Sequence, residues 1–225
     1  MACNLKWTVP EEWRFRPREE QISLIREALS KEMNRPEIDT AIYKDLLSSL
    51  EAKTSSAWAH RFVTTNWDYL LQREILRLSL SKLPAWLSET HVFHLNGTVE
   101  TSDDDSNRSP FLLETDPPEQ RIGAVEANIA FNHMIWQRMF VIVGISFDCE
   151  MDKSLLWAFS GVQDDMPIGE SRLIIVNRNR QALDDVSNSI QRALPQTSIA
   201  KVCAPFQDWI AEGMPELGAE GVLIE

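Results

Sequence analysis

The sequence predicts an α/β fold, a doubly wound and mostly parallel sheet of about five to six strands with helices on both faces. Three observations predict it. Five short apolar runs follow one another from residue 60 onward: HRFVTT, THVFHL, FVIVGIS, RLIIVN and SIAKVC. Segments long enough to form crossover helices separate them. Two of the runs, FVIVGIS and RLIIVN, are apolar on consecutive residues rather than alternating, as expected of central strands covered by helices on both faces.

The elements follow in order along 225 residues, which we read as a single domain. Residues 1–59 are mainly helical. One helix runs from about Pro17 to Met33 with Ile22, Ile25 and Leu29 at helical spacing, and a second from about Pro36 to Leu50 with Ile38, Ile42, Leu46 and Leu50. Proline suits the first turn of a helix, where its missing N–H costs nothing. Further helices are expected over Trp67 to Leu80, Ala124 to Met139, Asp152 to Phe159, Arg180 to Leu194 and Pro205 to Ala211. Residues 98–122 form one long irregular stretch with an acidic run at Asp103 to Asp105 and two prolines, Pro117 and Pro118. Loops of that length are either functional, here as a lid, or without fixed structure.

The balance of 22 Lys and Arg against 34 Asp and Glu leaves a net charge of −12. That excludes broad binding to a nucleic-acid backbone, which depends on basic side chains displacing counterions. It does not exclude a small anionic ligand, because backbone amides at helix N-termini supply local positive potential. No apolar run approaches the ~20 residues that cross a bilayer, and MACNLKWTVPEEWRFRPREE lacks the apolar core of a secretory signal. We therefore expect no membrane partner, a cytoplasmic chain, and reduced thiols at Cys3, Cys149 and Cys203, which lie far apart. No His, Cys or carboxylate constellation has metal-ligand spacing, so no metal is expected. The eight tryptophans, Trp58, Trp67, Trp136 and Trp157 among them, read as packing anchors, and His133 as an ordinary helix residue.

Ligands of open α/β sheets bind beyond the C-terminal ends of the strands. The residues that follow the first four runs are all polar or glycine-bearing: Thr64-Thr65-Asn66-Trp67-Asp68, His94-Leu95-Asn96-Gly97, Gly144-Ile145-Ser146 and Asn177-Arg178-Asn179. Asn66 is placed to aim an amide into a crevice and Asp68 to cap the helix that follows. Gly144 permits close backbone approach to a ligand, and Ser146 offers a hydroxyl to a phosphate or ribose oxygen.

The succession VTTNWD, HLNG, IVGISF and IIVNRN resembles the sirtuin-like NAD-binding superfamily, in particular its bacterial members without a zinc module. The resemblance covers about residues 60 to 205. It implies a Rossmann-like domain that holds NAD or ADP-ribose, with Asn66 facing the nicotinamide ribose and Asp68 the carboxamide or its helix cap. Gly144 and Ser146 lie by the phosphates and adenosine ribose in this reading, and Asn177, with Arg178 or Asn179, contacts the adenosine ribose. Thr65 and Gly97 belong to the same nucleotide-binding set. The family breaks the bond between nicotinamide and ribose and passes ADP-ribose to an acyl-lysine oxygen or to water.

Two departures bear on turnover. The family's first strand ends in a Gly-Ala-Gly-x-Ser type loop that wraps the pyrophosphate, whereas the first glycine in this chain is Gly97. In HLNG, Asn96 stands where the family shows histidine, and an amide takes no proton at neutral pH. His94 lies two residues earlier on the same strand side and is the candidate substitute. The leading expectation is a degenerate domain that binds NAD, ADP-ribose or a related nucleotide, or that uses its fold to meet a protein partner or a second copy. The alternatives are an active NAD glycohydrolase or NAD-dependent deacylase, or a piece of a longer protein whose glycine-rich strand lies upstream. Against that last alternative, Asn4 to Val9 is the segment placed to fill the gap as a strand, which leaves the phosphate loop absent and the sheet intact.

Overall fold

The computed structural model describes residues 9–36, 38–53, 62–64, 66–79, 92–99, 111–121, 139–145, 147, 152–153, 155–156, 159, 172–195 and 197–217. Asn4 to Thr8, Trp58, Thr65, Asp103 to Asp105, most of the helix expected over Ala124 to Met139, His133, Trp136, Ser146, Cys149 and Trp157 lie outside them, as does Cys3. Of the three cysteines, Cys203 is described, as an exposed free thiol.

Five strands form where the five apolar runs stand: β1 (Phe62–Thr64), β2 (Val92–His94), β3 (Met139–Val143), β4 (Arg172–Val176) and β5 (Ser198–Val202). Every observed pairing is parallel. Among the described residues they make a two-stranded sheet, β1-β2, and a three-stranded sheet in the order β3-β4-β5. The helices are α1 (Arg18–Met33), α2 (Ala41–Lys53), α3 (Leu70–Ser79), α4 (Arg180–Ala193) and α5 (Phe206–Ala211), and a 3-10 helix, Glu11–Phe15, precedes them. Lys153, Leu155, Leu156 and Phe159 are helical as well. The protein is an α/β structure built on parallel strands.

Strand β4 explains why RLIIV is apolar without alternation. Leu173 and Ile175 pack against Leu183, Val186 and Ile190 of α4, while Ile174 and Val176 pack on the other face against Ile42 and Leu47 of α2 and Trp209 of α5. Each such side chain contributes about 1.5–3 kcal/mol by leaving water, so a strand burying both faces has no place for a polar residue. Its neighbour β3 reads the same way but differs. Among the described residues it is an edge of the three-stranded sheet, and Val141 is 39 % exposed.

The two sheets share their cores. Val92 of β2 and Phe62 of β1 lie in the same cluster as Val176 and Val202, and Leu95, just past β2, lies in the cluster of Ile142 and Ile175. A third cluster joins Ile25, Leu29 and Met33 of α1 to Leu70, Val99, Phe111 and Leu113.

Two boundaries differ from expectation for local reasons. Helix α2 begins at Ala41 rather than near Pro36, because Asp39 Oδ1 accepts the Ala41 N–H at 2.9 Å and stops the helix from extending backward. Ile38 instead caps a turn by donating its N–H to Arg35 O. Helix α3 begins at Leu70 rather than Trp67, since Asp68 Oδ1 accepts the Leu70 N–H at 3.2 Å.

The stretch read as one irregular loop is, over residues 111–121, packed in place. Phe111, Leu112 and Leu113 are buried, Leu112 donates its N–H to Asn96 O, and residues 118–121 form a helical turn. Arg18 at the start of α1 holds it: Nε and Nη2 reach the two oxygens of Asp116 at 2.6 and 3.0 Å, and Nη2 also reaches Phe111 O at 2.6 Å. The Asp116 hydrogen bond is the main reason the guanidinium titrates higher than an ordinary arginine. No helix among the described residues is long and apolar enough to cross a membrane.

Candidate functional site

The C-terminal ends of β1, β2 and β3 converge on one apolar cluster. Trp67 after β1, Leu95 after β2, and Ile145 and Phe147 after β3 all pack against it, and the end of β4 joins through Asn177 Nδ2, which donates to Ile145 O at 3.0 Å. The described residues that follow these strands fall into two groups, one at the β1–β2 end and one at the β3–β4 end.

The first part is the β1–β2 end. Asn66 is exposed, its N–H donates to Thr64 Oγ1 at 3.0 Å, and its carbonyl lies 2.8 Å from His94 Nδ1. A carbonyl only accepts, so Nδ1 carries the proton. The other ring nitrogen, Nε2, then accepts from Gln72 Nε2 of α3 at 2.6 Å. His94 is buried, with both nitrogens engaged inside the protein, and it ties the end of β2 to the end of β1 and to α3. The lone pair that a general base requires is the one Gln72 occupies.

Two residues further on, Asn96 is fully buried and its carbonyl accepts the Leu112 N–H at 3.0 Å. Gly97 follows with φ +79°, closing a turn in which its N–H donates to His94 O. Trp67 fastens this end to the 111–121 segment: its ring stacks on Phe111 with centroids 5.2 Å apart, and Nε1 donates to Leu112 O at 3.1 Å. Its carbonyl accepts from both the Thr98 hydroxyl and the Val99 N–H.

The second part is the β3–β4 end. Gly144 has φ +71°, its N–H continues the ladder to Val176 O, and a side chain built on it meets nothing within 4 Å among the described residues, which leave this stretch of backbone open to approach. Phe147 carries φ +59°, a left-handed conformation unusual for an aromatic residue. Asn177 Oδ1 accepts the Asn179 N–H, and Asn179 caps α4 by accepting from Gln181 and Ala182. Arg178 is exposed between them. Gly144, Asn177 and Asn179 are thus joined through Ile145, and Asn66, His94, Asn96 and Gly97 form the other group.

Asp68 is half-buried and serves as the cap of α3. Burial pushes its carboxyl above the usual value of 3.8, with the Leu70 N–H pulling the other way. A carboxyl raised in the fold is better tolerated there as the neutral acid, so its contribution to stability is present at low pH and is lost as pH rises through the raised value. Two results are expected from thermal unfolding. Asp68→Asn keeps the cap, sheds the buried charge and is at least as stable as the parent at neutral pH, the gap closing as pH falls toward 3.8. Asp68→Ala loses about 1 kcal/mol with the cap.

Sequence reasoning placed the strand ends but missed Gln72 and the Arg18–Asp116 clamp, since a glutamine inside a helix and an ion pair 98 residues apart leave no local pattern. Among the described residues no group of three His, Cys, Asp or Glu is arranged to hold a metal. The chain is an α/β protein whose parallel strands end in a polar crest of two groups beside one apolar cluster. Comparisons with models of protein families, with curated proteins and with solved structures find no match to this chain.

Proposed function

We propose that the chain is a cytoplasmic, sirtuin-like nucleotide-binding domain that holds NAD, ADP-ribose or a related nucleotide at the polar crest and does not turn it over. In this reading the two- and three-stranded sheets are halves of one doubly wound sheet of five to six strands, and the ligand lies across the ends of β1 and β3. The observation that carries the reading is the shared apolar cluster, with an exposed Asn66 on one side and the open backbone of Gly144 on the other. Asn66 meets the ribose, Gly144 the phosphates, and Arg178 beside the N-terminus of α4 supplies positive charge to an adenosine phosphate or ribose.

The engagement of both His94 nitrogens favours binding over cleavage. With His94 satisfied, Asn96 unable to take a proton and the Asp68 carboxyl engaged by the Leu70 N–H, none of these three described residues stands ready as a base. A working NAD glycohydrolase or deacylase would need one.

Calorimetric titration with NAD, ADP-ribose and nicotinamide tests this directly. Micromolar binding of NAD or ADP-ribose is expected, lost in Asn66→Ala, with no NAD consumed over hours. Absence of heat with all three would overturn the nucleotide reading in favour of a protein partner, and NAD turnover abolished by Asn66→Ala would overturn the non-catalytic one.

A further inference from the structure

Away from the crest, the connection between α1 and α2 and the outer side of α3 enclose a groove. It consists of two concavities of about 390 and 310 Å³ that share Ile38, Thr40, Glu74 and Arg77. Both volumes lie in the range of small-ligand sites.

Its charge runs against that of the chain. Across the whole sequence acids outnumber bases by 34 to 22, yet among the described residues this groove is lined by four cations, Arg35, Lys44, Arg73 and Arg77, against the carboxylates Asp39 and Glu74, with Arg35 also paired to Glu32 beside it. The two carboxylates are already committed. Asp39 caps α2 at Ala41, and Glu74, only 6 % exposed, accepts from the Thr40 hydroxyl at 3.0 Å and from Arg77 Nη1 at 3.3 Å.

Arg73 is tied to a neighbouring element, whereas Arg77 and Arg35 each lean on a carboxylate three residues away. Arg73 Nη1 donates to Met33 O at 2.6 Å and its guanidinium lies 5.9 Å from the Tyr69 ring centre, while Arg77 leans on buried Glu74. A guanidinium carries five N–H donors, and these contacts engage only part of each set. Lys44 stands one turn inside α2, whose first turn adds the positive end of the helix dipole.

We infer that this groove is a second binding site, distinct from the crest, for a ligand bearing linked phosphate groups. A diphosphate matches a concave surface with cations on both walls, since planar guanidiniums pair with phosphate oxygens through parallel hydrogen bonds. The phosphates can arrive as free pyrophosphate or carried on a nucleotide.

Titration of the full chain with inorganic pyrophosphate at low ionic strength tests the inference, with ADP as the second probe. Binding is expected, weakened about tenfold or more in Arg35→Gln/Lys44→Gln, two exposed positions whose replacement leaves the core untouched. In Asn66→Ala, where the crest no longer contributes, ADP binding at least tenfold tighter than pyrophosphate identifies a nucleotide as the source, and any smaller ratio identifies the free anion. Asn66→Ala leaves pyrophosphate binding unchanged. No heat with pyrophosphate, an unaltered affinity in the double variant, or loss of binding in Asn66→Ala would each overturn the site.

Discussion

Asp116→Ala is expected to lower the free energy of unfolding by about 3 kcal/mol, read from the midpoint of a urea transition at unchanged slope. The carboxylate is almost wholly buried, its side chain 3 % exposed, and it satisfies three donors at once: two nitrogens of Arg18 and the backbone N–H of Leu113 at 2.9 Å. Removing it leaves a peptide N–H and part of a guanidinium without the group they were folded around, and unpaired buried donors cost more than the bond itself supplied. Arg18 is 40 % exposed and reaches water, so Arg18→Ala is the milder change. A double-mutant cycle over the pair should give a coupling of about 1–2 kcal/mol. Equal stability of Asp116→Ala and the parent would mean that the 111–121 segment is not anchored in solution as it is in the structure.

Trp67→Ala carries the second large effect, a loss of about 3–4 kcal/mol together with the nucleotide heat proposed for the crest. Trp67 joins the β1–β2 end to the 111–121 segment and to the turn after β2. Its ring packs on Phe111, its indole N–H reaches Leu112 O, and its carbonyl receives Thr98 and Val99. Phenylalanine at the same position restores the stacking but not the N–H, and should recover more than half of the stability. If Trp67→Ala unfolds the chain, Trp67→Phe still reports on the crest, because the neighbouring Asn66 is positioned by the same turn. Binding that survives in both would separate Trp67 from the ligand site.

These two changes act on contacts that differ in how far the sequence announces them. A tryptophan after a strand-ending Asn is visible as a packing anchor, and Trp67 is one. The partner of Asp116 lies 98 residues away in the chain, and nothing local marks Arg18 among the other charged residues of its helix. The same holds at the crest. The strand ends, the cap at Asp68 and the glycine turns at Gly97 and Gly144 are written in short runs of residues, whereas the fate of His94 depends on a glutamine from another element.

The order of apolar runs and spacers by itself determined five parallel strands and, among the described residues, the helices α3, α4 and α5 that follow β1, β4 and β5, because burying a strand on one or both faces imposes its pattern residue by residue. It also determined which residues stand at the strand ends. Only the tertiary structure decided that β3 is an edge among the described residues, that 111–121 is packed rather than loose, that both nitrogens of His94 are occupied, and that four cations meet in a groove of an acidic protein. Periodicity records whether a side chain faces the core; which distant group it meets there is settled by how the elements pack, and the chemistry of a site depends on that meeting.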